Sequence, residues 1–214
     1  MFETLDSRRL MAASATLFKD GVLGVLGTSG SDRIAVTASA IIYPANDAGY
    51  GRVENYVVTA NGKTIGTFDG NKVSKIKIFG LGGNDRISGV PEVTLDRTPQ
   101  TRAPVKVASM YVEGGSGRDR IVGSYGNDTL KGQDGNDDMV DYLGRNWIEG
   151  GRGDDIIRAF GTRETIQPDG SIRYTGFGSG KNKILAGDGI DTVFSSYAGD
   201  TLLDVPEDTG AYAI

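Results

Sequence analysis

Five nine-residue units follow one another without a gap between Gly114 and Arg158. They are GGSGRDRIV (114–122), GSYGNDTLK (123–131), GQDGNDDMV (132–140), DYLGRNWIE (141–149) and GGRGDDIIR (150–158). In every unit position 4 is glycine, position 6 is Asp or Asn, and position 8 is Ile, Leu or Met. A period of this length predicts a solenoid, in which each unit packs only on its neighbours.

Similar units occur on both sides of this run. Two single copies lie upstream, GTSGSDRIA (27–35) and GLGGNDRIS (80–88). Three more follow after an interruption of 18 residues, which is two whole periods: FGSGKNKIL (177–185), AGDGIDTVF (186–194) and SSYAGDTLL (195–203). In all, the repeat covers roughly 90 of the 214 residues.

The pattern within a unit predicts its conformation. Positions 7 to 9 form a short strand whose single inward side chain is the one at position 8, since side chains alternate across a strand. The glycine-rich positions 1 to 6 reverse the chain, and two units complete one coil of 18 residues. The fold class is therefore all-β, a parallel β-roll or β-helix solenoid with inserted hairpins. Residues two units apart, such as Ile121 and Met139, stack in its core.

The same stacking brings carboxylates together. Asp119, Asp137 and Asp155 fall on one edge of the coil, about 5 Å apart, where like charges repel by roughly 3 kcal/mol at an effective dielectric constant near 20. A Ca²⁺ ion held by these carboxylates and by turn carbonyls removes the repulsion, whereas Mg²⁺ requires a tighter octahedron. The predicted sites lie between Asp119 and Asp137, between Asp137 and Asp155, between Asp128 and Asn146, and, more weakly, between Asn182 and Asp200. A metal-free coil in which these side chains only close turns is the alternative.

The repeat resembles the glycine-rich nonapeptide of RTX, or haemolysin-type, calcium-binding proteins, whose pattern is G-G-x-G-x-D-x-U-x. The resemblance implies that position-6 side chains and turn carbonyls bind calcium. The implied ligands are Asp119, Asp128, Asp137, Asn146, Asp155, Asn182, Asp191 and Asp200, with Gly115, Gly117, Gly126, Gly135 and Gly153. Asn146 and Asn182 lack the charge of the family's Asp, and Arg118 and Arg145 at position 5 oppose cation entry. At the single upstream copies, Asp32 and Asp85 are expected only to close turns.

Two segments between the repeats predict hairpins. Asn61-Gly62 joins two β-prone runs within 56–65, which is a strong hairpin signal. Pro168-Asp169-Gly170 predicts a second turn within 164–174. This second excursion is expected to interrupt the ladder of ligands, and 89–104, with three prolines, is expected to be an irregular loop.

The chain divides into four predicted segments. Residues 1–18 form a leader or disordered N-terminal segment, 19–113 irregular coils with a hairpin, 114–203 the nonapeptide roll with an excursion at about 159–176, and 204–214 a tail. The first residues, MFETLDSRRLMAASA, resemble the leader of planctomycete surface and secreted proteins. A short amphipathic N-terminal turn is the other interpretation. No stretch is apolar enough for a transmembrane helix.

Composition excludes several function classes. The chain has no Cys and no His, so disulfides, thiolate and imidazole metal ligands and Ser-His-Asp catalysis are excluded. A net charge of -5 does not indicate nucleic-acid binding. The favoured interpretation is an extracellular or cell-surface structural or adhesion module whose folding depends on calcium, with polysaccharide or a cell surface as a further partner. No cofactor other than Ca²⁺ and no catalytic residue is assigned.

Two other functions remain open. A calcium-free solenoid used for adhesion or self-assembly is one of them. The other is a β-helical carbohydrate-active protein, either a polysaccharide lyase or epimerase or a binding module. Its candidate residues are Arg120, Trp147, Arg152 and Arg158, with the Trp147 ring facing outward to stack on a sugar.

Overall fold

The computed structural model describes residues 12–38, 41–42, 51–89, 105–141, 144–159, 162–166, 172–176, 182–195, 200–203 and 210–213. The first strands are β1 (Ser14–Leu17), β2 (Val22–Leu26), β3 (Arg33–Ala38), β4 (Ile41–Ile42), β5 (Gly51–Val53), β6 (Asn55–Ala60), β7 (Lys63–Asp69), β8 (Lys75–Gly82), β9 (Arg86–Ser88) and β10 (Val105–Lys106). The central strands are β11 (Ser109–Ser116), β12 (Arg120–Val122), β13 (Thr129–Asp134), β14 (Asp138–Asp141), β15 (Trp147–Arg152) and β16 (Ile156–Ala159). The last are β17 (Thr162–Ile166), β18 (Ile172–Gly176), β19 (Lys183–Asp188), β20 (Thr192–Ser195), β21 (Thr201–Leu203) and β22 (Gly210–Ala213). One 3-10 helix, Gly70–Lys72, precedes β8.

Two long sheets form the walls of the solenoid. The first sheet has the strand order β1-β2-β8-β11-β13-β15-β19-β21, and the second has the order β22-β20-β16-β14-β12-β9-β3-β6-β7. The chain passes from a strand of the first sheet to a strand of the second and back, so each coil adds one parallel strand to each wall. The predicted all-β parallel solenoid is confirmed.

The core lies between the two sheets and consists of stacked position-8 side chains. Ile121 pairs with Ile87 and Met139, and Met139 pairs with Ile157. All four are at most 1 % exposed. On the facing sheet the same row contains Ile78, Val112, Leu130, Ile148 and Ile184, each fully buried. The expected inward direction of position 8 is therefore confirmed.

Strand lengths differ between the two sheets, which the repeat pattern did not indicate. β12 has three residues, as expected for positions 7 to 9, but β13 has six. In β13 the chain continues along the neighbouring strand through positions 1 to 3, where Gln133 pairs with Gly151. Gln133 takes a φ of 82° there, so the strand extends through a residue in the left-handed region.

The first inserted hairpin is confirmed. β6 and β7 are antiparallel, and the turn between them is Asn61-Gly62 with φ of 51° and 78°. Positive φ at both turn residues is what a type I′ turn requires, and Asn-Gly adopts it readily. The hairpin continues the second sheet because β6 pairs antiparallel with β3.

The second hairpin is also present, but its predicted effect on the ladder is wrong. β17 and β18 are antiparallel, while the turn at Pro168-Asp169-Gly170 lies outside the described residues. β15 pairs directly with β19, placing Trp147 opposite Lys183. The excursion is therefore looped out of the solenoid, and the stack of coils continues past it without a break.

The structure adds strands near both ends of the chain. Ser14–Leu17, within the predicted N-terminal segment 1–18, pairs antiparallel with β2, and Ala15 and Leu17 pack on the core. β22, within the predicted tail 204–214, pairs parallel with β20. The predicted irregular loop 89–104 lies outside the described residues from 90 onward. The described part of the chain contains no helix long and apolar enough to span a membrane.

Candidate metal centre

One edge of the solenoid is lined by a column of aspartates, here called the acidic edge. Each member occupies position 6 of a unit, in the turn that leads from the first sheet to the second, and is at most 4 % exposed. The members are Asp32, Asp85, Asp119, Asp137, Asp155 and Asp191. Burial of six carboxylates in one column requires a compensating interaction for each charge.

One oxygen of each carboxylate except that of Asp32 joins two successive coils. Oδ1 of Asp137 accepts a hydrogen bond of 2.8 Å from the backbone N–H of Asp119. Oδ1 of Asp155 accepts a bond of the same length from the backbone N–H of Asp137. Equivalent bonds of 2.7 to 2.8 Å connect Asp32 to Asp85, Asp85 to Asp119, and Asp155 to Asp191. The acidic edge is thus a continuous ladder in which each Asp closes the turn of the coil before it.

The second oxygen is left without a partner at five of the six rungs. Oδ2 of Asp85, Asp119, Asp137, Asp155 and Asp191 is buried and makes no hydrogen bond among the described residues. An ionised carboxylate with a buried, unsatisfied oxygen is costly unless a cation or a proton occupies that oxygen. These atoms therefore mark where a cation would bind.

The pKa values of the buried aspartates on the acidic edge are raised, as expected for carboxylates that lack a compensating charge. Burial raises the pKa of Asp137 and of Asp155 to about 7, and that of Asp85 to about 6. Burial also raises the pKa of Asp119 and of Asp191. The neighbouring aspartates add to the shift at Asp137, but loss of solvent is the larger cause. The repulsion expected from the sequence is present, and desolvation exceeds it.

A glycine at position 1 leaves space beside four of the five orphaned oxygens, and Ala186 occupies this position in the unit of Asp191. A Cβ on Gly132 would overlap both Asp137 Oδ2 and the carbonyl oxygen of Gly150. Gly80, Gly114 and Gly150 stand in the same relation to Asp85, Asp119 and Asp155 and to the position-1 carbonyl of the following coil. Two oxygens of different coils thus converge on a point that no side chain occupies. Calcium binds carboxylate and carbonyl oxygens, so this donor set fits it.

The position-4 glycines bring further carbonyl oxygens to the acidic edge. The carbonyl of Gly117 faces Gly135, and that of Gly135 faces Gly153, so closely that no Cβ fits between them. Gly117, Gly135 and Gly153 all have φ between 120° and 127°, a region that favours glycine. Their N–H groups bond to position-3 carbonyls of the next coil, while their own carbonyls accept none of the turn hydrogen bonds of the described residues. Gly115, at position 2, packs against the carbonyl of Leu81.

The opposite edge, here called the amide edge, has a different chemistry. It consists of Asp128, Asn146, Asn182 and Asp200, again joined by bonds from backbone N–H to Oδ1. Asp128 accepts from Met110 N at 2.8 Å, from Ser124 N at 2.5 Å and from Ser124 Oγ at 3.0 Å. The Ser195 hydroxyl donates to Asp200 Oδ2. Protein donors therefore satisfy the carboxylates of Asp128 and Asp200.

The structure brings together all the residue pairs predicted to share a site, and it adds two residues. Asp85 and Asp32, expected to stand alone, extend the acidic edge because β3, β9 and β12 are neighbours in one sheet. Asp32 is closed by protein groups, since Thr28 N–H donates to Oδ2 at 2.6 Å and Asn61 Nδ2 to Oδ1 at 2.7 Å. Position 2 separates the two kinds of aspartate. A hydroxyl residue there, Thr28 or Ser124, donates to the carboxylate. The five aspartates with an unpartnered oxygen have no hydroxyl residue at position 2, which is Leu81, Gly115, Gln133, Gly151 or Gly187.

A second, reversed ladder runs beside the acidic edge through position 5. Asn84 Oδ1 accepts from Arg118 N at 2.8 Å, and Asn136 Oδ1 accepts from Asp154 N at 3.1 Å. Position-5 side chains therefore bond to the coil that follows, whereas position-6 side chains bond to the coil that precedes. Arg118 itself is exposed, so its guanidinium extends into solvent rather than into the buried column.

The described residues contain no group of three or more acidic side chains that would hold a metal by carboxylates alone. Any ion on the acidic edge thus needs backbone carbonyls as well. The candidates for sugar chemistry do not form one site either. Trp147 and Arg152 lie on the first sheet, and Arg120 and Arg158 on the second, where both contact Asp138. Trp147 faces outward as expected, at 36 % exposure.

Comparison with protein families agrees with this geometry. The family model described as RTX calcium-binding nonapeptide repeat (4 copies) matches residues 77–89, 113–140 and 142–166. Those ranges include Asp85, Asp119, Asp137 and Asp155 of the acidic edge. Comparison with curated proteins and with solved structures returned no match. The matched residues are thus similar to RTX calcium-binding nonapeptide repeats, and they lie in the parallel β-solenoid described above.

Proposed function

We propose that calcium ions bind along the acidic edge, in the four gaps between the five aspartates whose Oδ2 atoms are unpartnered. The orphaned, buried oxygens of Asp85, Asp119, Asp137, Asp155 and Asp191 carry this proposal. Each gap would combine the carboxylates of two successive coils with turn carbonyls, including those of Gly117, Gly135 and Gly153. The ion supplies the positive charge that a metal-free column of this kind lacks.

Calcium fits these ligands better than other common ions. The donors are carboxylate and carbonyl oxygens only, because the chain has neither His nor Cys. Calcium accepts six to eight oxygens in irregular geometry, whereas magnesium keeps a strict octahedron and retains water. Turns that alternate glycine and aspartate provide the first kind of surroundings more readily than the second.

The amide edge is not proposed as a calcium site. Both carboxylate oxygens of Asp128 already accept hydrogen bonds, from Met110 and Ser124. Its neighbour Asn146 has a neutral amide in place of a carboxylate. Asn182 and Asp200 likewise form a hydrogen-bonded pair, and Ser195 satisfies the second oxygen of Asp200. These hydrogen bonds favour a structural role for the Asp128–Asn146 and Asn182–Asp200 pairs predicted from the sequence as calcium sites, and our proposal therefore places calcium at the acidic edge alone.

Calcium binding at the acidic edge would be coupled to folding. The gaps exist only when successive coils are stacked, so the unfolded chain has no comparable site, and the binding free energy becomes folding free energy. Calcium modules with affinities of about 10⁻⁴ to 10⁻³ M are filled outside cells and empty in the cytosol. We therefore assign the chain to the extracellular space or the cell surface, as a structural or adhesion module.

Far-UV circular dichroism of the metal-free chain, titrated with CaCl₂ and separately with MgCl₂, tests the proposal. Strand signal is expected to rise with calcium and not with magnesium. Equilibrium dialysis should give up to four ions per chain, in the affinity range of extracellular modules. An unchanged spectrum together with no bound calcium overturns the binding proposal. Submicromolar affinity would contradict only the extracellular assignment.

A matched pair of variants locates the ions. Asp137→Asn removes one orphaned oxygen of the acidic edge, and Asp138→Asn removes a carboxylate next to it that lies on the outer face. The first variant should lose the ions of the two gaps that flank residue 137. The second should keep the calcium stoichiometry of the unchanged chain. Equal loss in both variants would contradict binding at the acidic edge.

A further inference from the structure

Three arginines form a row on the outer face of the second sheet. Arg33, Arg86 and Arg120 are Cα partners on the adjacent parallel strands β3, β9 and β12. All three side chains are exposed. Neighbouring strands are about 4.8 Å apart, so the row places a positive charge at each such step along the solenoid axis.

A shallow groove runs beside this row. Its lining includes the three arginines and the small position-9 residues Ala35, Ser88 and Val122. Side chains at positions 7 and 9 of these strands face the same way, so the long arginines and the shorter residues lie side by side along the groove. The groove lies across the strands and is open to solvent along its length.

The positive charge of the row is mostly uncompensated. The Arg120 guanidinium lies 3.6 Å from a carboxylate oxygen of Asp138, which also contacts Arg158. Asp138 occupies the next place after Arg120, so the row of arginines ends there. No carboxylate of the described residues lies within ion-pair distance of Arg33 or Arg86. Like charges placed directly opposite one another on adjacent strands destabilise a sheet, so the row carries a cost. An anionic ligand would offset that cost.

The arginines are not explained as counter-charges to the buried carboxylates. They follow Asp32, Asp85 and Asp119 in the sequence, and a counter-charge should then also follow Asp137 and Asp155. The residues there are Asp138 and Ile156. Asp137 and Asp155, each with an unpartnered buried oxygen, are thus not followed by an arginine, while Asp32, whose carboxylate is satisfied by Thr28 and Asn61, is.

We infer that this groove binds a linear polysaccharide with a carboxylate on each sugar. The residue length of an extended pyranose chain is comparable with the strand spacing of about 4.8 Å, so the carboxylates on one side of such a chain would fall within reach of the row of long arginine side chains. Guanidinium groups bind carboxylates in a bidentate manner. The hydrophobic faces of the sugars would lie on Ala35 and Val122.

The test uses the full chain and short oligogalacturonates, which do not gel in calcium. Binding is measured by isothermal titration calorimetry at low salt, both in calcium and in chelator. The unchanged chain should bind the acid form and not the fully methyl-esterified form. Arg33→Gln/Arg86→Gln should weaken binding about tenfold or more, as expected for loss of two charge-assisted hydrogen-bonded contacts.

The matched control is Lys19→Gln/Arg145→Gln, which removes two exposed positive charges elsewhere and should bind as the unchanged chain does. If Arg33→Gln/Arg86→Gln does not fold, as judged by circular dichroism in calcium, Arg33→Lys/Arg86→Lys takes its place. That variant keeps the charge and loses the bidentate geometry, so weaker binding is still expected. Absence of binding by the unchanged chain, or equal binding by the variants, overturns the inference.

Competition separates the polysaccharide from other anions. Inorganic phosphate and a single-stranded oligonucleotide are added to the preformed complex at equal charge concentration. Neither should displace the oligogalacturonate. Displacement by phosphate would reduce the groove to a simple anion site, and tighter binding of the oligonucleotide would make nucleic acid the ligand. Either result overturns the assignment to an acidic polysaccharide.

Discussion

The backbone N–H of Asp119 donates a 2.8 Å hydrogen bond to Oδ1 of Asp137 on the next coil. One carboxylate oxygen thereby closes a turn, while Oδ2 of the same group faces a glycine and has no partner among the described residues. The side chain is thus half structural and half available to an ion. This division makes the stability of the roll and its affinity for calcium separable by mutation.

Asp137→Asn should weaken calcium binding and stabilise the metal-free fold. The amide oxygen can still accept from Asp119 N–H, and the amide nitrogen replaces the orphaned oxygen beside the carbonyl of Gly150. Removing a buried, unsatisfied charge should raise the free energy of unfolding at pH 8 by about 1 to 3 kcal/mol. Urea denaturation of the metal-free chain measures this, and lower stability would contradict the expectation.

Asp128→Asn on the amide edge should destabilise the fold and leave calcium binding unchanged. Its two oxygens accept three bonds, from Met110 N, Ser124 N and Ser124 Oγ, so an amide group must place a donor against a donor. The loss should be about 1 to 3 kcal/mol, with and without calcium. Calcium stoichiometry by equilibrium dialysis should not change. A lower number of bound calcium ions would show that calcium also binds at the amide edge.

Gly132→Ala should block an ion-binding gap. The added Cβ would overlap Asp137 Oδ2 and the Gly150 carbonyl, and the glycine does not have a positive φ, so the effect is steric. We expect lower calcium affinity and a destabilisation of about 1 to 3 kcal/mol. Gly30→Ala is the control, because its Cβ would meet only Thr28 Oγ1 at 3.8 Å. Calorimetric titration of both variants distinguishes them, and equal behaviour would count against the gap.

Gln133→Gly should stabilise the roll. Gln133 has a φ of 82°, whereas the equivalent position in the neighbouring coils is Gly115 or Gly151 with φ of 116° and 119°. A side chain in the left-handed region costs about 1 to 2 kcal/mol, part of which glycine returns to the unfolded chain as entropy. The expected gain is about 0.5 to 1 kcal/mol, read from the midpoint of urea denaturation. A lower midpoint would mean that the Gln133 side chain contributes contacts beyond its backbone strain.

The metal-free chain should lose stability as pH rises from 5 to 8. Asp137 and Asp155 have pKa values of about 7 and Asp85 of about 6 in the folded state, against about 4 when unfolded. The folded chain therefore holds more protons than the unfolded chain across this window, so the free energy of unfolding falls with rising pH. Saturating calcium should remove the fall, because protons and calcium compete for the same oxygens.

Urea denaturation at pH 5 and pH 8 checks this, with protein dialysed free of metal and again in calcium. The metal-free chain should be less stable at pH 8. Greater stability at pH 8 without metal would show that the carboxylates are compensated by something other than protons or calcium.

The sequence predicted the fold because the repeat encodes it locally. Position 8 specified the buried rows of Ile121 and Met139, and Asn61-Gly62 specified a hairpin turn. The longer strands of the first sheet were missed because positions 1 to 3 are mostly polar or glycine and have no strand signal of their own. Pairing with the neighbouring coil extends these strands, as at Gln133 and Gly151, and pairing depends on tertiary structure.

The extent of the acidic edge was missed for a different reason. A period of nine identifies neighbours only where units are contiguous, and Asp85 is followed by a long segment without repeats. The contrast between the two edges was readable in principle. A hydroxyl residue at position 2, as at Thr28 and Ser124, satisfies the carboxylate at position 6, and a residue without a hydroxyl there, such as Gly151 or Gln133, leaves one carboxylate oxygen without a partner.

The hydrogen bond that defines the ladder spans 53, 34, 18, 18 and 36 residues at its successive rungs, with nearly constant length. Closing a longer loop costs only about 0.6 kcal/mol for each doubling of its length. Peptide segments of different lengths can therefore be inserted between Gly89 and Ser109, or in place of the second hairpin, while the hydrogen bonds between the aspartates of the acidic edge are kept. The solenoid can in this respect act as a scaffold that presents inserted segments at fixed intervals along its axis.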